Sequence, residues 1–354
     1  MTDDVQPPLA FPADVEVGIV SHDGRATLGE LLSCVTAAGA TPDRIFVYDI
    51  GSTDGTVAWL AENWPGVTVR SIAGNVGPDP GRNWALRAST QPYLLLLDAD
   101  AFLEVDAPRY LRAALDPAAR VGTVTPVVVH AHDRTRLQYA GGGLHYICEA
   151  VNPWLDRPLA ERGKEPWDIG AAPAVALLID VQVAQAIGMW DDLYFIGKED
   201  GDFCHRLRMA GYRLVEEPRA VVAHRSRPRT AWLFPCQIRN RWHFLLKNYE
   251  LRTLLVLAPA LALHEVVQFV MLTVKGHLGA WWTALKGLWS WMPTLRTERH
   301  AFQTMRTRAD RELLLCAPLV VRADLVGGGV GRAGKRAYDT WLRLYWQAAR
   351  HLLS

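Results

Sequence analysis

The chain is notable first for what it lacks. It has no CxxC pair, no internal repeat, no low-complexity tract and, at +1, almost no net charge. Its five cysteines, Cys34, Cys148, Cys204, Cys236 and Cys316, are odd in number and widely spaced, so neither a disulfide framework nor a structural zinc knuckle is expected, and a reducing compartment fits. The opening MTDDVQPPLAFPADVEV carries acids where a secretory signal carries Lys or Arg, and export by a cleavable signal is not expected. No Gly-x-Gly-x-x-Gly follows the first strand-like run, which argues against a dinucleotide-binding enzyme. No nucleic-acid motif is present either.

What is there is a chain large enough for a substantial core, with 354 residues, 50% hydrophobic and 21% charged. The near-zero charge conceals a split. Residues 230–354 hold 17 Lys+Arg and 7 Asp+Glu, which leaves 21 and 30 for residues 1–229. The two parts are read as units with different partners, 1–229 and 230–354.

Strand-like and helix-like runs alternate through the first part. Val15–Val20 is β-rich and ends at Ser21-His22-Asp23-Gly24, and Leu28–Ala38 follows with helical spacing. Arg44–Tyr48 ends at Asp49, Gly51–Gly55 is a turn cluster and Thr56–Asn63 a helix. Val67–Ile72 is a strand, Arg82–Ala88 a helix, and Tyr93–Leu97 an apolar strand stopping at Asp98-Ala99-Asp100. Leu115–His130 reads as a helix end and a strand, Ala131–Trp167 as loops around a site, Ala174–Ile179 as a strand and Val181–Ile187 as a helix. This alternation predicts an α/β fold with a mostly parallel sheet. In such sheets ligands sit at the carboxyl ends of strands, where Asp23, Asp49, Asp98 and Asp100 fall.

After Arg229 the composition changes, with eight of the 14 tryptophans lying among basic residues in 230–354. Trp with Lys and Arg suits a helix in a bilayer interface. Leu251–Val274 is long enough to span a membrane, but Pro259, His264, Glu265 and Gln268 sit near its centre, and a mid-helix acid costs about 2.5–3.5 kcal/mol. His264, Gln268 and Lys275 recur at helical spacing as one polar stripe. An in-plane helix on an anionic membrane surface is the expectation; an amphipathic helix packed on the first part is the alternative.

Three clusters carry chemistry. Asp98 and Asp100, at i and i+2 on a strand end, share a face and can place one acid on a divalent metal and the other on a nucleotide sugar. Glu199, Asp200 and Asp202 lie just before a helix, where one carboxylate can remove a proton while its neighbours orient it. Asp202 is read instead as a first-turn acid paired with Arg206 at i,i+4. His224 ends the apolar run Val221–Ala223, where an exposed turn histidine is the simplest reading.

In order, S-H-D, Y-D-I-G-S-T-D-G-T, N-V-G-x-x-x-G-R-N, D-A-D, E-D-G-D and A-V-V-A-H resemble the inverting family-2 glycosyltransferases of GT-A fold, and more narrowly the bacterial rhamnosyltransferase-like members. The resemblance runs from about Val15 to Tyr249. It implies a GT-A catalytic unit in 1–229 followed by a helical, membrane-associated region in 230–354. It further implies Ser21, Asp23 and Asp49 near the nucleoside, Arg82 at the base or diphosphate, and Asp98 on the ribose side. Asp100, with Asp98 and His224 beside it, would bind Mn2+ or Mg2+, and Asp200 with Glu199 would form the base. The family often has Asn where Asp23 stands and a hydrophobic residue where Gly201 stands. The implied donor is a nucleotide-diphosphate sugar, UDP or dTDP favoured, and the implied acceptor a glycan or polyprenyl-linked hydroxyl at the inner face of the membrane. A catalytically silent, glycan-binding subunit is the competing reading.

Overall fold

The structure is a computed structural model that describes residues 10–226, 230–320 and 328–353. The start of the N-terminal stretch and the expected boundary at Arg229 lie outside the described residues.

Largely apolar runs make the centre of the sheet, with the polar, mostly exposed Thr68–Ile72 at its edge. β1 (Val15–Ser21), β2 (Ile45–Ile50), β3 (Thr68–Ile72) and β4 (Tyr93–Asp98) pair in parallel in the order β3-β2-β1-β4. Then come β5 (Ala101–Leu103), β6 (Val121–His130), β7 (Asp133–Tyr139), the small pair β8 (Gly143–Leu144) and β9 (Ala150–Val151), β10 (Trp167–Asp168), β11 (Ala176–Asp180) and β12 (Arg213–His224). The order of the large sheet is β10-β12-β6-β11-β4-β1-β2-β3; β11 is antiparallel to both neighbours, whereas β12 is parallel to β6. The sheet is therefore mixed.

Helices cover both faces, which is why its strands read as continuous apolar runs rather than alternating ones. These are α1 (Arg25–Ala37), α2 (Thr56–Asn63), α3 (Asp79–Ala88), α4 (Ala107–Ala114), α5 (Val181–Ala186) and α6 (Glu199–Met209). Period-2 geometry divides the core: Leu95 and Leu97 pack with Leu28, Leu31 and Leu111 on one face, and Leu94 and Leu96 with Leu86 and Leu207 on the other.

Register lines up the strand ends that matter. Ser21 stands opposite Asp49 and Val20 opposite Asp98, while His224 stands opposite Ala101, the residue after Asp100. Gly51 (φ +78°) follows β2, where an added Cβ would meet the Gly74 backbone at 2.6 Å; only glycine fits there.

Several expectations need correcting. Residues 131–167 are not simply loops: β7 pairs antiparallel with β6, and β8 with β9. β7 is a polar strand with three exposed residues in sequence, so it lacked the apolar signal of the inner strands. α6 begins at Glu199 itself, which places the three acids in its first turn rather than before it. β2 runs to Ile50 and so contains Asp49.

The remaining helices are α7 (Phe234–Asn248), α8 (Leu251–Val274), α9 (Leu278–Thr304), the short α10 (Asp310–Leu313) and α11 (Gly329–Ala349). Phe244 and Leu245 of α7, Leu257 and Leu261 of α8, and Leu342 and Trp346 of α11 form a separate core with Tyr146 and Ile147. α8 continues through Pro259 and is long and apolar enough, by length and composition, to cross a membrane. Its polar stripe does not face out as one unit. His264 is buried against the Tyr338 hydroxyl (2.8 Å), Gln268 accepts from Arg241 (3.4 Å), and Lys275 alone of the three is exposed. The outward side instead carries Leu255, Val266, Val270 and Val274.

Candidate active site

The turns after β1 and β2 are clasped together. The Asp23 N–H donates to Ser52 Oγ (2.8 Å), and the Thr53 N–H donates to Asp23 Oδ1 (2.8 Å), with Asp23 itself at φ +48°. Asp49 is fully buried: Oδ1 accepts from the Ser52 N–H (3.1 Å) and the Ser71 hydroxyl (3.0 Å), and Oδ2 accepts from the Ser52 hydroxyl. Its carboxylate holds the turn. Ser21 is also buried, and its Oγ has no hydrogen-bond partner among the described residues.

Arg82 is the junction of the site. It lies on α3, buried, and joins three acids: NH1 to Asp200 Oδ1 (2.9 Å) and to Asp79 Oδ1 (3.1 Å), NH2 to Asp98 Oδ1 (3.2 Å). Burial alone would lower the pKa of a guanidinium, but Asp200, Asp98 and Asp79 together raise it. Burial likewise pushes the Asp98 carboxyl up to about 6; Arg82 opposes this, and the nearby Asp100 and Asp200 carboxylates add to it. Asp79 is raised by burial as well.

Beside this junction, His224 Nε2 lies 3.3 Å from Asp100 Oδ1. The other ring nitrogen, Nδ1, is 2.6 Å from Gln138 Oε1, and Gln138 Nε2 donates to Ser226 Oγ (2.9 Å). An amide oxygen can only accept, so Nδ1 donates to Gln138 and Nε2 is the ring nitrogen turned toward Asp100. This is how histidine is oriented when it ligates a metal. Asp98 Oδ1 faces Arg82, and Asp100 and His224 are charged neighbours of its carboxyl.

Asp200 stands at the cleft with one oxygen on Arg82 and the other accepting the Ala174 N–H (3.0 Å). Neighbouring Lys198 takes φ +74° and pairs with Glu149 (2.6 Å). Glu199 is buried in the same turn. Asp202 points the other way, into the core, where Oδ2 meets Arg206 Nε (2.8 Å) and Oδ1 meets Lys247 (2.9 Å), as the helix-pair reading expects. A cavity of about 160 Å3 borders Glu199 and Asp200, walled by Gly143, Leu144, Pro173 and Gln237.

The structure thus brings Arg82, Asp98 and Asp200 into direct contact, with Asp100 and His224 in contact beside them. Ser21, Asp23 and Asp49 sit together at neighbouring strand ends. Gln138, Asp79 and the Ala174 N–H were missed by sequence reasoning. Asp79 alone had a local cue, lying three residues before Arg82 at the start of a helix. Among the described residues, the group of three acids and histidines with ligand atoms close enough for one ion is a different one, Asp191, His243 and Glu298, and Lys247 already pairs with its Asp191.

A mixed sheet with acids at the carboxyl ends of β1, β2 and β4 and a helix acid opposite them is the arrangement of the GT-A fold. The family model for Glycosyl transferase family 2 matches residues 16–163, somewhat under half of the chain, and that segment is similar to family-2 glycosyltransferases. The chain is 26% identical over 235 residues, 58% of this chain and 74% of the relative, to the N-acetylglucosaminyl-diphospho-decaprenol L-rhamnosyltransferase of Mycobacterium tuberculosis, in both strain CDC 1551 / Oshkosh and strain ATCC 25618 / H37Rv. Among solved structures it is similar in fold to GalNAc-T7 with UDP, GalNAc and Mn2+ (TM-score 0.53, 18% identity), covering 66% of this chain and 47% of that one. The chain therefore spans about half the length of that structure. The mannosyltransferase PcManGT from Pyrobaculum calidifontis, in complex with GDP-Man and Mn2+, aligns over 99% of this chain and 88% of its own at 18% identity and a TM-score of 0.46.

Proposed function

We propose that the chain transfers a sugar from a nucleotide-diphosphate donor, UDP or dTDP favoured, to a hydroxyl of a lipid-linked or glycan acceptor in cell-surface polysaccharide synthesis, in one displacement that inverts the anomeric carbon. One observation carries this reading: Arg82 holds Asp98 and Asp200 within 3.2 Å beside the Asp100–His224 pair, so a cation for phosphate, a base and a metal-type pair converge. Residues 1–229 are the catalytic unit, and 230–354 the part that rests on the cytoplasmic side of the membrane.

The residues divide the work by chemistry. Ser21, Asp23 and Asp49 shape the nucleoside end, where base contact by Asp49 requires Ser52 to move off its carboxylate. Arg82 offers a planar fork to the diphosphate, and Asp98 faces the ribose. Asp200 retains lone pairs beyond its bonds to Arg82 and Ala174 and takes the acceptor proton, while Glu199 shapes its turn. The Asp100 carboxylate and the oriented His224 nitrogen suit a hard divalent ion. These two residues would hold Mn2+ or Mg2+, whose charge would stabilise the departing diphosphate. The diphospho-decaprenol-linked acceptor of the Mycobacterium tuberculosis relative and the outward apolar side of α8 both support a membrane acceptor.

The test is thermal-shift binding of UDP-, dTDP- and GDP-sugars, with and without Mn2+, to wild type and Asp100→Ala. Mn2+-dependent stabilisation by one nucleotide class, lost in the variant, is the expected result. If no nucleotide sugar binds the wild type under any condition, the silent-subunit reading replaces this one.

A further inference from the structure

A second cavity, of about 590 Å3, lies between α7, α8 and α11, within the size range of ligand pockets. It is walled by Leu233, Phe234 and Ile238 on the α7 side, Met271 and Leu272 on α8, and Leu319 across from them. Its polar lining includes Glu149, Gln237, His264, Gln268, Lys335 and Tyr338, of which Lys335 is paired with Asp339 (2.5 Å) and Gln268 accepts from Arg241. His264 and Tyr338 already satisfy each other at 2.8 Å, and Glu149 pairs with Lys198 at 2.6 Å. The remaining wall offers hydrocarbon and little to hydrogen-bond.

Two continuities say what such a pocket is for. At one end Val267 of α8 lines the cavity and is itself 38% exposed, beside Val266 and Val270, which are 57% and 53% exposed. The cavity is therefore continuous with the apolar outward side of α8. At the other end Gln237 lines both this cavity and the cleft beside Asp200. Gln237 also presses on Gly197, where an added Cβ would come within 2.2 Å of Gln237 Nε2, so it packs on the turn that carries Asp200. The Lys198–Glu149 pair bridges the same two spaces, Lys198 lining the cleft and Glu149 the cavity.

We propose that this cavity holds the proximal isoprenoid units of a polyprenyl-linked acceptor, drawn from the membrane along α8, with its polar head passing Gln237 to reach Asp200. The assignment rests on the lipid-linked-acceptor reading above and adds the place where the lipid sits. A hydrocarbon chain matches the apolar wall, burial of each methylene strengthens binding by roughly fourfold, and Gln237 links the pocket to the catalytic cleft.

The experiment is photolabelling of the full chain in detergent with a geranylgeranyl diphosphate that carries a benzophenone at its tail, followed by peptide mapping. It needs neither donor nor turnover, so it is independent of the catalytic reading; absence of nucleotide-sugar binding strikes that reading and leaves this one to the labelling. Label in the peptides spanning 234–238 and 267–272 is expected. Gly334→Phe should reduce it at least tenfold: Gly334 lines the cavity from α11, and an added Cβ there meets nothing within 4 Å, so the ring fills space rather than displacing neighbours. Met271→Trp, filling the cavity from α8, is the second variant, and an unchanged melting temperature is the folding control for both. Label confined to the exposed Val270, Val274 and Trp289 surface, label indifferent to both variants, or equal labelling by a benzophenone-tagged phosphatidylglycerol would overturn the proposal.

Discussion

The two parts of the chain place polar residues by opposite rules. In the α/β part, charged groups end strands and meet one another at an open cleft: Arg82 with Asp98 and Asp200, and His224 with Asp100. In the helical part a few charges turn inward, while others such as Arg252 and Lys275 stay exposed. Arg241 is fully buried and paired with Glu265, which also accepts from Trp242 Nε1 (2.7 Å) and Trp281 Nε1 (3.1 Å). Several apolar residues of α8, among them Leu255, Val266, Val270 and Val274, are left outside. In the first part charge is concentrated where a ligand can compete for it; in the second it is used to bind helices to each other, leaving hydrocarbon to meet the surroundings.

The largest effects should come from breaking each rule at its centre. Asp200→Asn removes the base but keeps the shape and one acceptor oxygen. Sugar transfer is expected to fall by about 10²–10⁴-fold, with donor affinity changed only a few-fold, read by comparing kcat with nucleotide-sugar binding. Loss of both together would make Asp200 a mere partner of Arg82. In the helical part, Glu265→Leu strands the buried Arg241 and should cost about 3–5 kcal/mol in urea unfolding. The double change with Arg241→Leu should recover most of it, because burial already disfavours the Arg241 charge. A double variant as unstable as the single one would mean that the pair is more than a charge and its neutraliser.

The same contrast explains what the sequence made legible. Alternating strands and helices were visible because strands buried on both faces, such as Tyr93–Leu97, read as unbroken apolar runs, and Thr56–Asn63 begins and ends as expected. Asp98, Asp100, Asp200 and His224 could be picked out because they end or adjoin such runs. Gln138 could not, since it lies in the polar strand β7, and its value comes from His224, 86 residues away. Nor could the sequence say which acid Arg82 would choose, because that depends on β4, α3 and α6 meeting in space. The stripe His264–Gln268–Lys275 was visible as a pattern, but periodicity gives a face and not its direction. Tyr338 and Arg241, 74 and 27 residues from their partners, turn most of it inward.

A smaller effect separates the cores by pH. His205 is buried against Phe244 and Tyr249, and neither ring nitrogen has a hydrogen-bond partner among the described residues. Burial lowers its pKa to about 3, and burial lowers that of His145 equally. A histidine depressed in the folded state takes up its proton on unfolding. Stability is therefore full above the unfolded value near 6.5 and is lost as pH falls toward 3, at up to about 1.4 kcal/mol per pH unit for each group. His205→Phe should flatten that slope by one proton's worth between pH 6 and 4 in urea titrations; an unchanged slope would mean His205 is not buried in this way.

The smallest expected effect bears most directly on how the helical part meets a membrane. Val270 is 53% exposed on α8, whereas His264 one to two turns earlier is 5% exposed and tied to Tyr338. Were the polar stripe on the water side of an in-plane helix, with α8 free of the rest of the chain, His264→Leu would strengthen binding to anionic vesicles by adding apolar surface. With the stripe turned inward, His264→Leu leaves vesicle affinity unchanged and lowers stability instead, because the Tyr338 hydroxyl loses its acceptor. Val270→Ser does the reverse: stability holds, and vesicle affinity drops roughly fivefold for about 1 kcal/mol of lost lipid contact. Flotation with anionic liposomes at low salt, beside thermal melts of both variants, reads the two signs together. Vesicle affinity that rises in His264→Leu and holds in Val270→Ser would reverse the assigned faces of α8.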